Sequence, residues 1–141
     1  MTQQSSDNSL TGGLNHLGLS VLHLDASRDF FVNRLGWVES GRDDAYPRTA
    51  VSDGYIRLTL WEVDAKAAIS LFDRRANIGL HHLALNVSSY NRLQEVHQIM
   101  LDAEDVDIEF GPELVGQGPR MHMMCYEPGG IRIEFIWSGE D

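Results

Sequence analysis

Apolar and polar residues alternate strictly in two short stretches of the chain, HLGLSV at 16–21 and HLALNV at 82–87. Such alternation predicts half-buried strands. Leu17, Leu19 and Val21 fall on one face of the first, with His16, Gly18 and Ser20 on the other. In the second, Leu83, Leu85 and Val87 oppose His82, Ala84 and Asn86. Each strand thus opens with a histidine on the face that does not feed the core, followed there by small residues.

The same kind of pattern organises the fifty or so residues after each copy. The first strand is expected from about Leu14 to Leu24, with Asp25 as N-cap of a short helix bearing Phe30, Phe31, Arg34 and Leu35. Gly36 is its natural stop. Trp37 to Ser40, Thr49 to Ser52 and Tyr55 to Val63 read as three more strands, with GRDD and SDG as turns. A connector at about 64–78 has room for a helical turn and carries Arg74 and Arg75. Then the pattern restarts. Gly79 to Val87 is a strand, and Ser88 or Ser89 caps a longer helix striped by Leu93, Val96, His97, Met100 and Leu101. Ile108 to Phe110, with a continuation towards Val115, and Met121 to Tyr126 are strands flanking the loop GQGPR. After the turn EPGG, the closing strand Ile131 to Trp137 sets Ile131, Ile133, Phe135 and Trp137 against Arg132, Glu134 and Ile136.

GYIRLTLW at 54–61 also echoes GGIRIEFI at 129–136. One such unit cannot cover its own sheet, so two should pack together. The fold class expected is α+β: two tandem βαβββ modules pairing into a curved mixed sheet around a central cleft. Residues 1–12 form a polar leader expected to be disordered, and 13–137 a single domain. Within it, module 1 covers about 13–63, the connector 64–78, and module 2 about 79–137.

Repeat equivalence should bring His16 and His82 close together, with Glu134 on the cleft side of the last strand. A lone strand histidine is most often a satisfied core or surface residue. Two at matching positions, with a carboxylate in phase, point instead to a metal held by two imidazoles and one carboxylate. Such a site suits Fe(II), Mn(II), Ni(II), Co(II) or Zn(II), and polarises or chelates substrate oxygens. His122 shares the cleft phase and is a candidate general acid or base, with wall packing as its rival. Arg57, also cleft-facing, is a candidate anchor for an anionic substrate group, with a salt bridge to Glu134 as the plainer alternative. His81 should turn to the helix side; His23 and His97 read as structural. Cys125 should be a buried, inert thiol, and the clustered methionines gap-fillers.

Composition narrows the functional classes. The formal net charge of −10 opposes a nucleic-acid role. No apolar run is long enough for a membrane helix, and no secretory signal pattern opens the sequence. A single cysteine excludes an internal disulfide and fits a cytoplasmic location.

The paired histidine strands, the repeated strand–helix–three-strand order and the closing PGGIRIEF resemble the vicinal oxygen chelate superfamily over nearly all of 13–137. That group includes glyoxalase I, bleomycin-resistance proteins, fosfomycin-resistance enzymes and extradiol dioxygenases. The resemblance implies metal ligation by His16, His82 and Glu134, a small-molecule substrate, homodimerisation, and lyase- or isomerase-like chemistry through an enolate or oxyanion. Glyoxalase I would need a second carboxylate, where this chain offers Arg57 and Thr59. Extradiol dioxygenases usually close with Asp-Pro-Asp-Gly-His and a tyrosine upstream; here stand Glu127, Pro128, Gly129, Gly130 and Ile131, with Met124 at the tyrosine's place. The rival of another class is a non-catalytic drug-binding protein of the bleomycin-resistance type, for which Trp37, Tyr55 and Trp61 would supply aromatic surface.

Overall fold

A computed structural model describes residues 8–141. Most of the expected leader therefore lies outside the described residues, and 8–12 are exposed without regular structure. Two βαβββ units succeed one another. The first contains β1 (Leu17–Val21), α1 (Leu24–Asp29), β2 (Val38–Asp43), β3 (Arg48–Ser52) and β4 (Arg57–Glu62). The second contains β5 (Leu83–Val87), α2 (Tyr90–Leu101), β6 (Asp107–Leu114), β7 (Met121–Tyr126) and β8 (Arg132–Trp137). Each unit forms its own four-stranded mixed sheet, ordered β1-β4-β3-β2 and β5-β8-β7-β6. The two repeated histidine strands occupy equivalent edges, each pairing in parallel with the last strand of its unit. The fold is α+β.

Local chemistry explains where the elements start and stop. Helix α1 is not capped by Asp25; the residue before it is His23, whose side chain makes no cap bond. Glu62 takes that role from β4, its Oε2 accepting the Leu24 N–H at 2.9 Å. Beyond Asp29 the helix widens into a π-turn over Phe30–Arg34, in which the Leu35 N–H reaches back to the Phe30 carbonyl at 3.2 Å. Both adjacent phenylalanines are fully buried in this turn, their rings edge-to-face at 5.1 Å. Gly36 ends it with φ 78, as a left-handed stop requires.

Gly41–Asp43 of the supposed GRDD turn instead belong to β2. The connector forms no helix but has a helical turn at Asp73, whose carbonyl accepts the Ala76 and Asn77 N–H groups at 3.0 and 2.8 Å. Helix α2 starts as predicted at Ser89, whose Oγ accepts the Arg92 N–H at 3.0 Å. Replacing it, Ser89→Ala, is expected to cost about 1 kcal/mol, measurable as a shifted urea midpoint with an unchanged slope.

The apolar faces of both sheets feed one core. Leu19, Val21, Leu58 and Leu60 from the first unit join Leu83, Leu85, Ile133 and Phe135 from the second. Polar ties cross the same boundary. The Leu22 N–H donates to the Gly129 carbonyl at 3.1 Å, the Ser27 hydroxyl donates to Glu127 at 2.7 Å, and Arg34 pairs with Asp105 at 2.6 Å. Among the described residues no helix is long and apolar enough to cross a membrane.

Candidate functional site

Because the leucines and valines face the core, the alternate positions form a second, partly open face on each sheet. Gly18, Ser20, Ala84 and Asn86 are exposed there, while Ala50, Thr59 and Met124 are buried. On the second sheet, parallel register sets Ala84 opposite Glu134 and Leu83 opposite Ile133. His82, one residue before the edge strand β5, therefore shares a phase with Glu134 on the neighbouring strand β8. Glu134 is mostly buried, and its Oε2 lies 3.0 Å from His122 Nδ1. A carboxylate oxygen can only accept, so Nδ1 carries the proton of that bond. The Phe110 ring packs against His122 at 4.9 Å and limits where the imidazole can turn.

His16 occupies the matching place on the first sheet and is exposed. Its Nδ1 lies 2.7 Å from the Asn15 side-chain oxygen. That partner puts the proton on Nδ1 and leaves Nε2 with its lone pair, the form a metal requires. His82 is exposed too, its Nδ1 2.7 Å from that of His81. Within the chain, however, the site is divided. No group of three His, Cys, Asp or Glu side chains able to hold an ion forms among the described residues. The reason is topological: β1 and β5 sit at the edges of separate sheets and do not pair with each other.

Arg57 lies on the open face of the first sheet, exposed and without an ion pair among the described residues; the alternative of a bridge to Glu134 is not formed. Beside it, the Trp61 indole N–H donates to Thr59 at 3.0 Å, and the Arg48 guanidinium stacks over the Trp61 ring at 5.5 Å. Of the three aromatic residues considered for drug binding, only Trp61 is on this face. Trp37 packs into the core against Phe31 at 4.9 Å, and Tyr55 projects from a turn. Cys125 is fully buried, and burial first, with the charges of Glu127 and Asp107, pushes its thiol up to about 12. It stays protonated and inert.

His81 departs from expectation, being exposed rather than turned onto a helix. Lost hydration, then the neighbouring Arg132, His82 and Arg74, hold its pKa below the usual imidazole value. Arg132 itself grips Glu109 with Nε at 3.1 Å and Nη2 at 2.7 Å. This bidentate contact first, ahead of the opposing effect of burial, keeps the Glu109 carboxyl below the ordinary range. Sequence reasoning missed this cluster. Its available signal was the position of Arg132 two residues before Glu134, on the same face of the closing strand.

The model of the Glyoxalase/Bleomycin resistance protein/Dioxygenase superfamily matches residues 13–135, and the chain belongs to that superfamily. Among similar solved structures is a glyoxylase/bleomycin resistance protein/dioxygenase domain from Frankia sp. EAN1pec. It is 23% identical, with a TM-score of 0.76, over 91% of this chain and 93% of that one. The fosfomycin resistance protein FosX from Listeria monocytogenes is 19% identical, with a TM-score of 0.70, covering 91% and 94%. A lactoylglutathione lyase from Agrobacterium tumefaciens is 15% identical at 0.67, covering 93% and 97%. No curated protein matches the chain. At these identities the likeness is one of fold.

Proposed function

We propose that the protein is a divalent-metal enzyme that chelates adjacent oxygens of a small substrate, its ion held by His82 and Glu134 of one copy and His16 of a second. The observation that carries this reading is the divided site: two exposed imidazoles and one carboxylate, each on an open sheet face, with no complete set in a single chain among the described residues. A two-fold dimer that sets the edge of β1 beside the edge of β5 of its partner would join the halves twice over.

The donors suit the ion. His16 is held in the coordinating tautomer by Asn15, and Glu134 has one oxygen turned to His122, leaving Oε1 without a protein partner among the described residues. Oxygen and nitrogen donors of this kind fit Fe(II), Mn(II), Ni(II), Co(II) or Zn(II). A bound divalent cation would supply Lewis acidity to the substrate's oxygens. The chain's own residues supply the rest. His122 fixes the Glu134 carboxylate and is the nearest imidazole for moving a proton, while Arg57 offers an unneutralised positive charge to an anionic substrate group.

Lyase- or isomerase-like chemistry is the class this arrangement serves best. The lack of a carboxylate at Thr59, where the second ligand of glyoxalase I would stand, argues against a lactoylglutathione lyase reaction. The test is elemental analysis of protein purified without chelator, combined with turnover assays on 2-oxoaldehyde–thiol adducts, catechols and fosfomycin. Metal-free protein that binds a drug with full affinity and turns over nothing would support the sequestration reading instead. His122→Ala, which frees Glu134 to rotate, is expected to weaken metal affinity by about 10–100-fold, as measured by competition with a metallochromic chelator.

A further inference from the structure

The connector between the two units encloses space as well as joining them. With the edge of β1 and the β7–β8 turn it walls a cavity of about 640 Å³, within the size range of small-molecule sites. Its body is apolar, formed by Leu19, Leu22, Leu71, Phe72, Leu80 and Ile131. Polar groups enter from Arg74, Arg132, His81 and Tyr126. None of His16, His82 and Glu134 lines it.

The polar groups form one cluster with an excess of positive charge. Arg132 spends its fork on Glu109 and lies 3.4 Å from His81. Arg74 donates to the Tyr126 hydroxyl at 3.0 Å, but its other amino group is 3.6 Å from Glu109, too long for a hydrogen bond. Two guanidiniums thus share one carboxylate, and most donors on Arg74 have no partner among the described residues. The apolar wall is also incompletely covered: Leu71 is 73% exposed and Phe72 44%.

We propose that this cavity binds a small amphipathic monocarboxylate, an aryl- or alkyl-chain acid. Its carboxylate docks on Arg74 beside Tyr126, and its apolar body lies along Leu71, Phe72 and Leu80. One surplus positive charge matches one carboxylate; a dianionic phosphate would leave charge uncompensated next to Glu109. The planar fork of arginine fits a carboxylate with two parallel bonds.

Isothermal titration of 4-phenylbutyrate into the full chain, stripped of metal with chelator and dialysed, tests this. The expected result is saturable binding of one acid per chain, with affinity unchanged when metal is restored. The neutral isostere 4-phenylbutyramide and the variant Arg74→Gln should each weaken it by at least about tenfold, the loss of one charge-assisted contact. Leu71→Asp, at an exposed wall position, should weaken it similarly by setting a like charge beside the ligand. Circular dichroism and the melting midpoint should show both variants folded. Absence of saturable binding to the wild-type chain would overturn the proposal. So would equal affinity for the amide, or full affinity in Arg74→Gln or Leu71→Asp. Binding that appears only with metal restored would place the acid at the metal centre and overturn a separate site, whereas failure of the metal reading leaves the titration of stripped protein untouched.

Discussion

Replacing any one of His16, His82 and Glu134 by alanine should remove stoichiometric metal from the protein while leaving it folded. His16 and His82 are exposed, so their loss is expected to cost the fold little. Glu134 is mostly buried, but among the described residues its side chain bonds only to His122. The effect on the ion should be much larger than on stability. In the proposed site each residue would supply one of three protein donors, and removing a donor is expected to exceed the ~10–100-fold loss typical of outer-shell changes. Inductively coupled plasma mass spectrometry of protein purified without chelator provides the readout. Metal content unchanged in any one of the three variants would remove that residue from the ligand set.

The second large effect concerns Glu127, a carboxylate with no part in the proposed chemistry. It is 2% exposed. It accepts three hydrogen bonds: from the Ser27 hydroxyl at 2.7 Å, the Gly129 N–H at 2.8 Å and the Ile131 N–H at 3.0 Å. One therefore ties the two units together and two shape the turn before β8. Glu127→Ala would leave these donors buried without partners, at an expected cost of about 3 kcal/mol, or a fall in melting midpoint of roughly 10 °C for a chain of this size. Differential scanning calorimetry measures both. Gly129→Ala should be comparably severe, because an added Cβ would stand 2.7 Å from Val21 Cβ and against the Ser27 hydroxyl.

The acid limb of stability carries the signature of the same group. Burial is the largest influence on Glu127 and raises its pKa despite the three donors. A raised carboxyl pKa means the folded state holds the proton more tightly than the unfolded chain does. Its contribution is therefore fully present below the unfolded value and declines as pH rises through the folded one. Glu109 acts oppositely. The Arg132 contact lowers its pKa, so its contribution is present above the unfolded value and is lost as pH falls through the folded one. Denaturant midpoints measured across this acid range should show Glu127→Gln removing the first trend and Arg132→Gln reducing the second.

Much of the architecture is readable from the residues, for identifiable reasons. Strict alternation in HLGLSV, HLALNV and RIEF assigns each side chain to a face, because a half-buried strand tolerates no slip of register. Gly36 marks a helix end because its left-handed conformation suits no other residue as well. The second half of β2 reads as a turn because it is largely exposed and lacks alternation. Its Arg42 is instead tied to Asp25 and Asp44 by contacts at 2.7 and 2.9 Å, one of them distant in sequence. The burial of Glu127 is equally hidden. Its counterpart in the first unit, Ser52, accepts the matching Gly54 N–H at 3.0 Å, yet is only half-buried. What sets Glu127 apart is its contact with Ser27 of the other unit, which no neighbouring residue in the sequence announces. The histidine pair is legible as a repeat, but whether repeat-equivalent residues meet depends on which sheet edges join, and alternation within a strand says nothing of that.

The proposal of a metal centre shared between two copies can be tested by mixing two defective proteins. His16→Ala and Glu134→Ala homodimers would each lack one ligand at every site. After unfolding and refolding together, half the dimers should be mixed, and each mixed dimer should carry one complete site made from His16 of one chain and His82 and Glu134 of the other. Metal content should then recover from near zero in either variant alone to about a quarter of the wild-type value per chain. If wild-type protein holds the ion and the refolded mixture recovers none, the three ligands do not come from two copies and the proposed arrangement is wrong.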